Sequence, residues 1–189
     1  MNKNKKILFI FVEGPDDEKF IHAFIRDNKC LNDQYRTIKC IRYSEGWNAS
    51  KINKYIEKSI MKLGHDYIFL ADADFEGEVS CFPQRKKKLV KTYKLPDIKK
   101  VWIVILEIES WFLAGFDEAF CKKEKLDFKL NTERVTKEIF DKIDRNKKKK
   151  SHNQLIDFLI RKKTNFSYQE VDKRNKSLAR FHNHFKLKC

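Results

Sequence analysis

No stretch of this 189-residue chain approaches the roughly 20 consecutive apolar residues that a bilayer-spanning helix needs. The opening Met1-Asn-Lys-Asn-Lys-Lys-Ile-Leu-Phe-Ile-Phe-Val12 looks like the start of a secretory signal. Its apolar part is too short, Glu13 follows at once, and no small-residue cleavage site appears. The cysteines (Cys30, Cys40, Cys81, Cys121 and Cys189) are odd in number, and no two have C-x-x-C spacing. That excludes a disulfide framework and a thiolate zinc site, and it points to a reducing, cytoplasmic setting. Internal repeats and low-complexity linkers are missing too. A chain of this length reads as one domain with an appended lobe, able to bury enough surface without disulfide staples.

Charge is abundant. Lysine and arginine total 42 against 27 acids, a net charge of +15. Such a surface attracts polyanions, and nucleic acid is the leading partner. Lysine outnumbers arginine 33 to 9. An AT-rich coding sequence produces the same bias whatever the function, so charge alone does not decide the partner.

Apolar runs alternate with amphipathic stretches. Ile7 to Val12, Thr37 to Ile41, Asp66 to Ala71 and Val101 to Leu106 read as strands, the unbroken runs suiting a sheet buried on both faces. Gly14-Pro15 and the acids Asp16, Asp17 and Glu18 open a helix with Phe20, Ile21, Phe24 and Ile25 inward. Asn48 caps a second helix with Ile52, Tyr55, Ile56, Ile60 and Leu63 on one face, ended by Gly64. A basic helix from Gln84 to Lys94 stops at Pro96. Strand–helix alternation predicts an α/β fold with a four-stranded, mostly parallel sheet flanked by helices. Beyond it the pattern is helical: Thr132 to Asp144 with Val135, Ile139, Phe140 and Ile143 inward, a helix from the capping box Ser151-His-Asn-Gln154, and a terminal helix from the box Ser167-Tyr-Gln-Glu170. The expected organisation is a core over 1–115 and a helical C-terminal extension over 116–189 packed on it.

Three of the strands run straight into acids. Glu13 follows the first, Asp72, Asp74 and Glu76 the third, and Glu107 and Glu109 the fourth. Sites in parallel sheets form beyond the carboxyl ends of strands. Side chains alternate along an extended chain, so Asp72, Asp74 and Glu76 point one way if the extension persists. Hard oxygen ligands at this density suit Mg²⁺ or Mn²⁺. Plainer readings exist for each. A lone D-x-D is usually a solvated turn, Asp16, Asp17 and Glu18 serve as helix-start acids, Glu109 can cap the helix near Trp111, Glu107 fits a structural role, and Trp111 fits the core. The basic runs Arg85, Lys86, Lys87, Lys88 and Lys147, Lys148, Lys149, Lys150 are solvated faces or, beside a nuclease site, phosphate contacts. His182 and His184 of Phe181-His-Asn-His-Phe185 would point about 200° apart on a helix, which argues against an HNH nuclease. His22, His65 and His152 have no ligand-spaced companions and read as ordinary.

Taken together, Val12-Glu-Gly-Pro-Asp-Asp-Glu18 and Asp72-Ala-Asp-Phe-Glu-Gly77 resemble the Glu-Gly and D-x-D blocks of the Toprim family. Leu106-Glu-Ile-Glu-Ser-Trp-Phe-Leu-Ala114 is similar to the third block of small, stand-alone Toprim-like proteins related to the overcoming-lysogenization-defect (OLD) nucleases. Arg174-Asn-Lys-Ser-Leu-Ala-Arg-Phe181 is similar to their R-x-x-S-x-x-x-F ending. The resemblance implies a Toprim-like fold and a metal-dependent nuclease cleaving DNA or RNA. Glu13 would match the general acid/base and a metal ligand, Asp72 and Asp74 the metal pair, Glu76 a third ligand or outer group, and Glu109 an extra acid serving a second metal. Relatives often carry Arg where this chain has Leu106. No Walker A motif is present, so the ABC-type ATPase implied by the nuclease branch, often in anti-phage defence, would be a separate chain; a homodimer is a further option. Two alternatives stay open: an RNA- or tRNA-processing endoribonuclease, and a nucleic-acid-binding or regulatory subunit with a silent Toprim site.

Overall fold

The computed structural model describes residues 5–26, 29–73 and 82–185. Two compact units make up the chain, Met1–Val104 and Ile105–Cys189. The division falls earlier than the expected boundary at 115, so Glu107 to Ala114 belongs to the second unit.

The first unit is built on a four-stranded, all-parallel sheet in the order β2-β1-β3-β4. Its strands are β1 (Lys6–Val12), β2 (Tyr35–Arg42), β3 (Asp66–Asp72) and β4 (Val101–Val104). Helices α1 (Pro15–Phe20), α2 (Lys29–Gln34), α3 (Ala49–Tyr55) and α4 (Phe82–Tyr93) fall between them, with π-helical turns continuing α1 over Ile21–Ile25 and α3 over Ile56–Met61. Alternation explains the unbroken apolar runs. Ile7, Phe9 and Phe11 share a buried cluster with Tyr67, Phe69 and Ala71, which also takes in Ile52, Ile56 and Ile60. Leu8, Ile10, Val12, Ile68 and Leu70 are buried as well and, by strand period, face the other way. Leu63 does not join the stripe expected for it; it lies 66% exposed, because the π-helical turn shifts the helical period before Gly64 turns the chain at φ +73.

β4 stops at Val104, short of the expected Leu106, which sits left-handed at φ 61. For a leucine that conformation costs roughly 1–2 kcal/mol, and it turns the chain sharply just before Glu107.

The second unit contains α5 (Glu109–Ala114), α6 (Glu118–Lys123), α7 (Lys137–Phe140), α8 (His152–Arg161), α9 (Tyr168–Arg174) and α10 (Lys176–His184). Two expected helices are broken. In place of one helix over 132–144, a 3-10 turn over Thr132–Arg134 leads to the short α7. Thr132 is buried with its hydroxyl on the Arg174 carbonyl, and Thr136 leaves the helical region to cap α7. Val135, Phe140 and Ile143 are buried as expected, whereas Ile139 is exposed. The terminal helix divides at Asn175, whose backbone is extended and whose side chain accepts from the Leu178 amide, capping α10. Ser151 forms its capping box with Gln154, while Ser167 caps α9 through the Gln169 amide.

Arg174 organises this unit. Its guanidinium is buried and donates to the carbonyls of Leu113, Ala114, Phe116 and Lys129, and it lies over the Phe128 ring. The carbonyls at the end of α5 thereby gain donors they otherwise lack. The Trp111 indole donates to Ser177 Oγ at 2.8 Å and its ring meets Phe181. The two similar blocks, 106–114 and 174–181, thus grip one another. Gly115 is required here, since a Cβ would come within 2.6 Å of the Phe166 ring.

Replacing Arg174 by Lys should cost about 3–5 kcal/mol in urea denaturation, because several buried carbonyls lose donors at once. Asp144 gives a pH signature. Burial pushes its carboxyl up, but the amides of Lys150 and Asn146 and both their side chains outweigh that and hold it down at about 2. The stability it contributes is present above its unfolded pKa near 4 and is lost as pH falls towards 2. Asp144→Asn should therefore flatten the acid limb of a stability–pH curve over that window.

Candidate active site

The chain leaves β1, passes to β2 on one side, then crosses to β3 on the other side of β1. The strand order reverses between β1 and β3, and a crevice opens at such a reversal beyond the carboxyl ends. Glu13 stands one residue past β1, and Asp72 is the last residue of β3. The register pairs Phe11 with Phe69, so both acids emerge at the same end of neighbouring strands. Alternation assigns Glu13 to the face of Phe69 and Ala71, and Asp72 to the opposite face.

Glu13 is held from β2. The Tyr43 amide donates to the Val12 carbonyl at 2.9 Å, extending the ladder one step. Ser44 donates through its hydroxyl to the Glu13 carbonyl, and the Tyr43 hydroxyl donates to Glu13 Oε2 at 3.3 Å. Tyr43 stacks on Phe69 with 4.6 Å between ring centres. Burial first, then the charge of Glu13, and then Tyr93, Asp17 and Asp72, push the Tyr43 phenol far up. One phenol therefore senses three carboxylates, from the end of β1, from α1 and from the end of β3. Tyr93 is also raised, by burial and by Glu13, with Arg85 opposing.

Asp17 is buried and accepts the Gly14 amide at 3.0 Å, fixing the turn from β1 into α1. Sequence reading assigned it to the helix start. Its charge also helps to raise the Tyr43 phenol, a coupling that linear spacing does not reveal. Arg85 donates from α4 to the Asp72 carbonyl at 3.2 Å, which puts a cation at the strand end. Asp74 and Glu76 lie outside the described residues. Within the first unit taken alone, no three described His, Cys, Asp or Glu side chains bring ligand atoms within 4.8 Å of one another. Glu13, Asp17 and Asp72 are hard oxygen donors of the type that suits Mg²⁺ or Mn²⁺.

In the second unit Glu109 opens α5 and is buried, 3.4 Å from His152 Nε2. His152 Nδ1 meets Asp141 at 2.7 Å. His152 thus lies between two carboxylates, companions brought from other elements of the unit. Glu107 accepts the Lys137 amide, a structural contact. His182 is buried against Asp172 at 2.7 Å, while His184 is exposed.

The two basic runs divide by role. Lys86 covers the Trp102 ring, whereas Lys87 and Lys88 are exposed. Lys150 is tied to Asp144 and lies over Phe158. Lys147, Lys148 and Lys149 are exposed, and the first two line a cleft of about 610 Å³ with Lys123, Lys125 and Asn146. No helix among the described residues is long and apolar enough to cross a membrane.

Tyr43→Phe removes the hydroxyl on Glu13 but keeps the ring stack. It should cost about 1 kcal/mol in urea denaturation and leave the circular dichroism spectrum unchanged. A much larger loss would mean that the hydroxyl, and not the ring, holds this corner together. No protein-family model matches the chain, and no curated protein or solved structure matches it either.

Proposed function

We propose that the chain is a metal-dependent nuclease of Toprim type that hydrolyses phosphodiester bonds in nucleic acid. The observation that carries this reading is that Glu13 and Asp72 emerge at the same carboxyl end of the two neighbouring strands that flank the order reversal, with the Tyr43 hydroxyl on Glu13. Supporting it are Arg85 at the same strand end and the net charge of +15. Glu13, Asp72 and Asp74 would hold Mg²⁺ or Mn²⁺, with Glu76 as a further acid of the same class. When bound, such an ion polarises the phosphoryl oxygen and lowers the pKa of water.

The chain's own residues do the rest. Glu13 accepts a proton from the attacking water or positions it, oriented by the Tyr43 hydroxyl. Tyr43 stays protonated and acts as a donor. Arg85 and the exposed Lys87 and Lys88 engage the flanking phosphates. The exposed lysines would equally serve a binding subunit whose site is silent, and one assay separates the two readings.

The test is incubation of plasmid DNA and of total RNA with Mn²⁺ or with EDTA. Cleavage should require the metal and fall at least about a hundredfold in Glu13→Gln and in Asp72→Asn. Cleavage that survives EDTA or both substitutions would sink the nuclease reading. Binding without cleavage would favour the silent subunit, and RNA cut in preference to DNA would assign the endoribonuclease version.

A further inference from the structure

Beyond the strand ends, the first unit carries a pocket of about 520 Å³ lined by Gly46, Trp47, Lys51, Lys54, Tyr55 and Lys58, together with Ser59. Trp47 and Tyr55 are half-buried, with ring centres 5.3 Å apart at 70°. Both rings rest on Phe11 of β1, so the aromatic floor is anchored in the core. Lys51, Lys54 and Lys58 recur at three- and four-residue steps along α3 and its π-helical continuation, and all three are exposed. The loop that presents Trp47 also presents Tyr43 and Ser44, the two residues that hold Glu13.

We infer that this pocket binds one nucleotide unit of a single-stranded polynucleotide, its base against Trp47 and Tyr55 and its phosphates along Lys51, Lys54 and Lys58. An aromatic ring face beside a row of cations is what an unpaired base with its backbone requires. In a duplex the base faces are already stacked and cannot reach the rings. A purely electrostatic patch would need no half-buried aromatic floor. An apolar ligand would not call for three exposed lysines at one rim. The inference deepens the nuclease reading by naming the strandedness of its substrate, because a strand held here is led along the 43–47 loop towards Glu13.

The test is equilibrium binding in EDTA, which removes cleavage from the measurement. Fluorescein-labelled dT and rU 15-mers are titrated against the full chain, with a duplex of mixed sequence as comparison. At least one single strand should bind about tenfold more tightly than the duplex and quench tryptophan emission. The two single-strand arms tell whether deoxyribose or ribose is preferred. Lys54→Gln with Lys58→Gln should weaken binding about tenfold and lower the slope of log K against log salt by about 1.4, since each lost phosphate contact on a single strand removes about 0.7. Trp47→Leu keeps an apolar plug but loses the stacking face, and should abolish the quench. If that variant fails to fold, the double lysine variant on the exposed rim carries the test alone.

Equal affinity for duplex, no binding in EDTA, or a salt slope unchanged in the lysine variant would overturn the inference. Single-strand binding without metal-dependent cleavage would leave the pocket standing and remove the nuclease reading. Cleavage unaffected by the lysine changes would do the reverse.

Discussion

A parallel sheet sends every strand out at the same end, and that one constraint governs this site. In an antiparallel hairpin, acids at the ends of successive strands would sit at opposite edges. Here β1 and β3 run side by side in the same direction, so the residues that follow Val12 and Ala71 emerge at one end of the sheet whatever lies between them in sequence. The other end of β3 makes the contrast. Asp66 there has Lys100 at 2.7 Å and the Tyr35 hydroxyl at 3.0 Å, so its charge is neutralised inside the fold. At the carboxyl end Glu13 accepts the Tyr43 hydroxyl, and the cation nearby, Arg85, is tied to the Asp72 backbone carbonyl.

The second unit depends on a different device. Its helices are short, and α7 spans only four residues, so helical propensity contributes little to its order. Buried polar contacts supply the specification instead. Arg174 collects carbonyls from the end of α5 and from Lys129, and Asn175 reaches the Ser110 and Thr132 hydroxyls. Ser177 takes the Trp111 indole. Each group is satisfied only when the others are in place, which makes the arrangement cooperative. Glu109 rides on the helix so fixed, and its meeting with His152 follows from that.

The strands were legible because an unbroken apolar run followed by an acid is a strong local signal, and Glu13 and Asp72 came with them. Tyr43 and His152, the partners of the candidate acids Glu13 and Glu109, were not legible. Tyr43 lies 30 positions from Glu13 and reaches it only through the β1–β2 register. His152 gains its carboxylates from two other elements, and no spacing rule within one element anticipates them. The breaks at Thr136 and Asn175 were missed for a related reason. Both regions carry helical periodicity, but Thr132 and Asn175 gain more from buried tertiary hydrogen bonds than from continuing a helix. Lys86 and Lys150 show the limit of reading charge runs. Within each run some lysines face water while others cover an aromatic ring.

The raised phenol of Tyr43 constrains what chemistry this corner can do. Tyr43 keeps its proton near neutral pH, because burial disfavours the phenolate first and the charge of Glu13 next, with Tyr93, Asp17 and Asp72 adding to it. It therefore stays a hydrogen-bond donor to Glu13. The same crowding of carboxylates repels a phosphodiester. An anionic substrate can approach only if countercharge is present, from bound cation, from Arg85, or from the lysine surface that gives the chain its net charge of +15. Under the nuclease reading, the strand-end acids and the basic exterior would be two halves of one electrostatic arrangement, the first suited to a cation and the second to a polyanion.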